Sequence, residues 1–265
     1  MARGALRSGV PTEALEIEGR RLVFLPSAIE LLEPHWRRAD PLAAGKRLAH
    51  LADRWDLARI ETADGPLFAK RQSEVGLRRA RSRLTGCRAE RAFRNGHRLR
   101  ERKVSTPEPV AWLDEGAGRA ILFTRFVEGR ALFEEPSDEL FDGLARGIAR
   151  LHLAGYRHRD LKAPNFLVTG DATRPRIWIL DLDGAHKDSA PPSRRHRIRD
   201  WGRLAASFHA AHAGREELGL ARLRACLTTY LRRLGEQRAD DFARRVLQWA
   251  DAKAVRNRRR GRPLA

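Results

Sequence analysis

The stretch His158-Arg159-Asp160-Leu161-Lys162-Ala163-Pro164-Asn165 constrains this chain more than any other. It stands between a helix-patterned run, Glu139 to Leu153, and a short apolar strand, Phe166 to Val168. A second strand, Ile177 to Leu180, leads into Asp181-Leu182-Asp183-Gly184. The residue types in this loop and at that strand end are those that phosphoryl transfer asks for. That chemistry needs a carboxylate to orient an acceptor hydroxyl, and Asp160 can supply it. It needs oxygen ligands for an Mg²⁺ that bridges phosphates, and Asn165 and Asp181 can supply those. Lys162 can balance charge on the transferring group. Asp183 is a lesser candidate for metal or acceptor contact.

The loop and the strand-end Asp resemble the catalytic loop and magnesium-binding segment of kinases, and the N-terminal half has matching parts. Trp55 to Glu61 alternates as a strand, Ala63-Asp64-Gly65-Pro66 is a hairpin turn, and Leu67-Phe68-Ala69-Lys70 is the return strand. Lys70 closes that strand where a kinase places its phosphate-binding lysine. A helix is expected from Glu74 to Lys103, with Gly86 and Gly96 as soft points. Glu90 is the candidate ion-pair partner of Lys70, ahead of Glu74 and Glu101, because of its central place in that helix. The usual glycine-rich loop is missing. Gly45 stands alone before Lys46 and Arg47, which could contribute charge instead. Val104-Ser105-Thr106-Pro107-Glu108-Pro109 ends the helix. Strands follow at Val110 to Leu113 and Ala120 to Phe123. Thr124 to Gly129 then resembles an interlobe hinge, where adenine would meet backbone at Arg125 and Val127.

The expected fold is α+β and two-lobed, protein-kinase-like. A small antiparallel-sheet lobe with one helix spans 45–127, and a mainly helical lobe spans 128–255. Residues 1–44 read as an N-terminal extension with a possible strand at Leu22 to Leu25, and 256–265 as a basic tail. Ser137 suits a helix cap, and Leu140, Leu144, Ile148 and Leu151 share one helical face. Asp200 opens a later helix and could cap it or brace the catalytic-loop backbone. Further helices are expected near Leu218 to Arg233 and Asp240 to Val255. His209 and His212 have helical spacing but no further ligands, so they read as structural.

Composition narrows the setting. With 265 residues, 42% of them hydrophobic, there is room for one or two domains and a sizeable core. No apolar run is long enough for a bilayer span, and Met1 to Val10 has no signal-peptide character. Cys87 and Cys226 are isolated, which suits free thiols in a reducing cytosol. The net charge of +19 favours anionic partners: nucleotide, phosphorylated glycolipid, an anionic membrane face or nucleic acid. The run Arg256 to Arg262 reads as a solvated tail, with a membrane-surface or nucleic-acid contact as its functional option.

Phe68-Ala69-Lys70, Arg88-Ala89-Glu90-Arg91, Thr106-Pro107-Glu108-Pro109-Val110, His158 to Asn165, Leu180 to Gly184 and Arg199-Asp200-Trp201-Gly202-Arg203-Leu204 together resemble one family. It is the lipopolysaccharide core kinases, the Kdo and heptose kinases of the protein-kinase-like superfamily. The resemblance covers roughly Leu48 to Phe208. It implies ATP and Mg²⁺ as cofactors, a lipid-linked anionic sugar as acceptor, and work at the cytoplasmic face of the inner membrane. It also implies the roles of Lys70, Glu90, Arg125, Val127, Asp160, Lys162, Asn165 and Asp181 given above. Leu161-Lys162-Ala163-Pro164-Asn165 looks more like a Ser/Thr protein kinase, but no Ala-Pro-Glu follows. An aminoglycoside-type kinase is a further alternative. The intact Lys70, Asp160, Asn165 and Asp181 set argues against a binding pseudokinase. The lack of aromatic-interleaved basic motifs argues against a nucleic-acid binder.

Overall fold

The computed structural model describes residues 2–5, 10–43, 45–51, 55–76, 79, 86–134, 136–188, 190–211 and 216–259. The chain forms two compact units, Met1–Arg100 with Pro107–Val127, and Glu101–Thr106 with Glu128–Ala265. The expected α+β division, an antiparallel sheet followed by a mainly helical part, is what the elements show.

The first unit is built on an eight-stranded sheet ordered β1-β2-β3-β7-β8-β6-β5-β4. Its strands are β1 (Ala2–Ala5), β2 (Pro11–Ile17), β3 (Arg20–Phe24), β4 (Lys46–Leu51), β5 (Trp55–Ile60), β6 (Leu67–Ser73), β7 (Pro109–Gly116) and β8 (Arg119–Arg125). Alternation explains how they bury. Leu67 and Ala69 are fully buried while Phe68 and Lys70 point to the other face. The turn between β5 and β6 is the one the sequence predicts. Gly65 takes a φ of 96°, donates its N–H to Thr62 O at 3.1 Å, and accepts from Thr62 Oγ1 at 2.6 Å.

The strands β1–β3, all before Gly45, belong to this same sheet. β3 pairs with β7 from Arg21↔Asp114 to Phe24↔Ala111. The helix α1 (Ile29–Trp36) then lays Leu32 and Trp36 into a cluster with Phe24, Leu113 and Phe123. Fully burying side chains of this size stabilises by about 1.5–3 kcal/mol each. Arg71 of β6 fastens the segment further, with Nε and Nη2 each donating to Glu115 of β7 at 2.8 Å and Nη2 also to Asp40 at 2.7 Å.

The helix α2 (Arg88–Glu101) covers the opposite face, where Ala89 and Phe93 meet Trp112 and Ala120. It does not begin at Glu74, as the sequence suggested. The Glu74 amide donates to Gly118 O at 2.8 Å, and Gly76 adopts a φ of 57°, so the chain leaves β6 as a loop. Residues 77, 78 and 80–85 of that expected helix lie outside the described residues. Inside α2, Gly96 is a packing requirement: a Cβ there would stand 2.4 Å from Pro109 Cγ.

The second unit contains β9 (Arg130–Ala131), α3 (Asp138–Leu153), β10 (Tyr156–Arg157), β11 (Phe166–Thr169), β12 (Arg176–Ile179), β13 (His186–Lys187), α4 (Arg194–Ala211), α5 (Glu216–Arg233) and α6 (Ala239–Arg259). Ser137 Oγ accepts the Leu140 N–H at 3.2 Å and caps α3. Leu140, Leu144, Ile148 and Leu151 are all buried, as their spacing predicts. On α5 the stripe of Leu223, Leu227, Tyr230 and Leu231 is buried. The side chains of Leu220 and His209, and the whole of His212, lie outside the described residues. α4 and α6 approach closely at Gly202, where a Cβ would come within 2.5 Å of Trp249 Cε3. Among the described residues no helix is long and apolar enough to cross a membrane.

Candidate active site

The catalytic-loop stretch is delivered by α3 and β10 and leaves through β11. The β11–β12 hairpin pairs Phe166 with Ile179. That register sets Asn165 against Leu180, whose N–H donates to Asn165 O at 2.9 Å. Residues far apart in sequence, Asn165 and the strand-end Asp181, thereby become neighbours along one hairpin.

Within the loop, His158 is fully buried and its Nε2 lies 2.7 Å from Leu180 O, so it ties the loop to the end of β12. Leu161 is also fully buried and anchors the middle. Asp160 faces solvent. Asn165, nearly buried, donates from Nδ2 to Asp160 O at 2.7 Å, with Asp160 Oδ2 at 3.5 Å. Lys162 Nζ sits 3.3 Å from Asp160 Oδ2. Both partners are exposed, and an ion pair of that kind contributes at most about 1 kcal/mol to stability. Fold stability is therefore a poor reason for this arrangement.

The loop backbone is held from behind by α4. Asp200 accepts the N–H of His158 at 2.8 Å on Oδ2 and that of Arg159 at 3.0 Å on Oδ1. Ser207 Oγ accepts the Ala163 N–H at 2.9 Å. Asp200 and Ser207 lie about two helical turns apart, on one face of α4. Asp200 does not open its helix, which starts at Arg194; of the two roles the sequence left open, bracing is the one it performs. Ser207 carried no sequence signal beyond that spacing.

Behind Asp200 lies His152, fully buried, with Nε2 3.5 Å from Asp200 Oδ2 and Nδ1 2.6 Å from the Tyr230 hydroxyl. Burial pushes the His152 imidazole below its usual range, despite the nearby carboxylate. Burial alone would raise Asp200. The His152 imidazole beside it and the His158 N–H outweigh that and hold the carboxyl below the usual range.

Asp181 follows β12 with φ 57° and ψ 59°, in the left-handed region, and Arg159 has φ 70°. A non-glycine residue held there costs about 1–3 kcal/mol, and such residues cluster at functional sites. A single 3₁₀ turn, Leu182–Gly184, follows with Leu182 and Asp183 buried.

In the first unit Lys70 lies in the middle of β6, paired with Leu57 and Leu122, because the strand runs on to Ser73. It does not close the strand. Glu90 stands in the first turn of α2, half-buried, and its carboxylate pairs with Arg94 one turn along. Glu74 is buried with Arg91 Nη2 at 3.6 Å. At the end of β8 the Arg125 N–H donates to Glu108 O at 2.8 Å, and the Phe126 N–H to Pro66 O at 3.0 Å. Val127 is half-buried just beyond. Lys46 and Arg47 open β4; residues 52–54, at the β4–β5 connection, lie outside the described residues.

Asn165 and Asp181 fit a hard cation. Nδ2 of Asn165 donates to Asp160 O, so the amide oxygen would be the atom to offer a cation, and Asp181 would add a carboxylate. Among the described residues no group of three or more His, Cys, Asp or Glu side chains forms a metal site. Mg²⁺ characteristically takes few protein ligands and completes its shell with phosphate and water.

Solved structures share this fold. WaaP, solved in complex with acyl carrier protein, superposes with a TM-score of 0.56 at 24% identity over 89% of this chain and 98% of that one. An aminoglycoside phosphotransferase from Streptomyces rimosus, solved with ADP and streptomycin, gives 0.51 at 16% identity over 76% and 92%. Both likenesses speak to the fold alone. Among curated proteins, a 3-deoxy-D-manno-octulosonic acid kinase of Stenotrophomonas maltophilia (strain K279a) is 34% identical over 34% of this chain and 39% of its own length. The corresponding kinase of Xanthomonas campestris pv. campestris (strain B100) is 32% identical over 44% and 48%. The chain thus matches half or less of the length of these relatives. The sequence profile of one family covers far more of the chain, residues 59–230, and takes in Lys70, Glu90, the catalytic loop, Asp181 and Asp200. By that match, which spans more than half of its residues, the chain belongs to the lipopolysaccharide kinase (Kdo/WaaP) family.

Proposed function

We propose that the protein is an Mg²⁺- and ATP-dependent phosphotransferase acting on a sugar hydroxyl of lipopolysaccharide core, on a Kdo or heptose unit. The observation that carries this reading is the braced loop that presents Asp160 to solvent with Lys162 beside it. Asp160 orients the acceptor hydroxyl and receives its proton. Lys162 offsets charge on the transferring group. Lys70, with Glu90 as its partner, holds the α- and β-phosphates. Asn165 and Asp181 hold Mg²⁺, which supplies charge neutralisation across the phosphates. Adenine meets backbone near Arg125 and Val127. Since the Arg125 N–H is already bonded to Glu108, carbonyl groups and the Val127 amide are the atoms left for that contact.

The test is transfer of labelled phosphate from ATP. A lipid A–Kdo acceptor should be labelled, and generic protein substrates should not. In parallel, Mg·ATP should raise Tm by mass action, and Asp181→Ala should abolish the Mg²⁺-dependent part. Labelling of proteins in preference to the glycolipid would overturn the acceptor class. A full Mg²⁺-dependent shift in Asp181→Ala would remove that residue from the metal site.

We also propose a peripheral place on an anionic membrane surface, held in part by the basic end of α6. Arg256, Arg258 and Arg259 are exposed there, and residues 260–265 lie outside the described residues. Each such arginine contributes about 1 kcal/mol near an anionic leaflet, fading beyond a Debye length. Truncation after Val255 should weaken binding to anionic vesicles at least about tenfold at moderate salt, leaving activity on a short soluble acceptor unchanged. Equal vesicle binding by both proteins would refute the anchor, and preference for duplex DNA over vesicles would reassign the charge to nucleic acid.

A further inference from the structure

A cavity of about 200 Å³ lies in the second unit where α3 faces β12. Arg146, Arg150 and Arg176 line it with Ser105, and none of the described lining residues is acidic. Room for it comes from glycine. Gly143 and Gly147 present no side chain, and a Cβ at Gly143 would already stand 3.4 Å from Ile177 Cγ1 and 3.5 Å from Pro175 O. The catalytic loop contributes nothing to this lining.

Arg150 and Arg176 are exposed and Arg146 is half-buried, and two of the three have local contacts that hold them. The Arg176 guanidinium carbon lies 4.2 Å from the centre of the Trp178 ring, and Nε is 3.4 Å from Ser105 Oγ. Arg146 pairs with Asp142 one turn back along α3. Burial pushes the Arg146 guanidinium down, and the charges of Arg233 and Arg150 push it the same way. Among the described residues, the recorded ion pairs of these three arginines reduce to that one with Asp142. Several cations therefore converge on one concavity with little anionic compensation, which a small multivalent oxyanion would supply. Guanidinium forks match phosphate oxygens in pairs. The volume is below the roughly 300 Å³ at which pockets for drug-sized ligands begin. It suits a phosphate group and not a whole nucleoside triphosphate.

We propose that this cavity is a phosphate-binding site, separate from the catalytic loop, for free phosphate or for the phosphoryl group of a phosphomonoester. Arg146 and Arg176 grip the oxygens, Ser105 offers a hydroxyl, and exposed Arg150 closes the charge from solvent.

The experiment is a titration of the full chain with inorganic phosphate at fixed ionic strength, read by ³¹P line broadening and by Tm. Saturable binding is expected, weakened about tenfold or more in Arg146→Gln/Arg176→Gln, since charge-assisted bonds to phosphate are lost. Arg150→Gln, a change at an exposed position that spares the fold, should weaken it about threefold or more. Lys70→Met should bind phosphate like the parent, which separates this site from the nucleotide site. Displacement by glucose 6-phosphate supports the proposal and assigns the site to a phosphomonoester. Saturation by inorganic phosphate without such displacement supports it and assigns the free ion. Undiminished binding in both arginine variants overturns it. So does loss of binding in Lys70→Met alone, or an equal response to chloride at matched ionic strength.

Discussion

Asp160→Asn should lower turnover by between about a hundredfold and ten-thousandfold, the range for removing a positioned proton acceptor. Stability and nucleotide affinity should barely move. Asp160 is exposed, its ion pair with Lys162 is worth little to the fold, and the bond from Asn165 Nδ2 goes to its backbone oxygen, which the substitution keeps. The change should therefore fall on kcat and on kcat/KM alike, as expected for an interaction made in the transition state. Turnover, nucleotide affinity and Tm measured on the same preparation check this. A variant that retains turnover within about threefold of the parent would take Asp160 out of the chemistry.

Asp200→Ala should cost both stability and activity. The substitution leaves the His158 and Arg159 amides without their acceptor in a buried place, at about 1–3 kcal/mol each. A total of roughly 2–6 kcal/mol would lower Tm by about 4–24 °C in a protein of this size. Asp200→Asn keeps an acceptor oxygen and should be milder. The pH dependence separates Asp200 from its neighbour. The folded state holds the Asp200 carboxyl below its unfolded value, so the stability it contributes is full above about pH 4 and is lost as pH falls further. Burial holds the His152 imidazole below about 6.5, so the unfolded chain takes up that proton first. Its stability contribution is full above about pH 6.5 and drains away as pH falls below that. Urea unfolding from pH 8 to pH 3 should therefore show two acid limbs in the parent. Asp200→Asn should shallow the lower limb, to which Asp40, Asp171 and Asp241 also contribute, and keep the upper. Identical pH profiles for parent and variant would remove Asp200 as the titrating brace.

The catalytic loop, the strand-end Asp181, the hairpin at Gly65, the cap at Ser137 and the buried stripe of α3 were legible because each is written in contiguous residues or helical spacing. Such features depend on local backbone preference and on one buried face, and neighbours in sequence specify both. Fold class follows from these alone, and the proposal of phosphoryl-transfer chemistry rests on them.

Other features depended on partners remote in the chain. Residues before Gly45 showed only Leu22 to Leu25 as a strand; pairing of β3 with β7 and burial of Trp36 under the sheet give that segment its place. The end of β6 is set by its ladder with β8, which runs to Ser73↔Arg119 and leaves Lys70 in mid-strand. The start of α2 is set by the Glu74 amide bonding to Gly118, across a hairpin that no local pattern reveals. Asp200, Ser207 and His152 become a brace only when α4 packs behind the loop, because a buried amide takes its acceptor from whatever the fold brings within reach. Sequence alone determined which groups are proposed for the chemistry; tertiary structure decided what holds them still, since burial and long-range hydrogen bonding exist only once the chain has closed on itself.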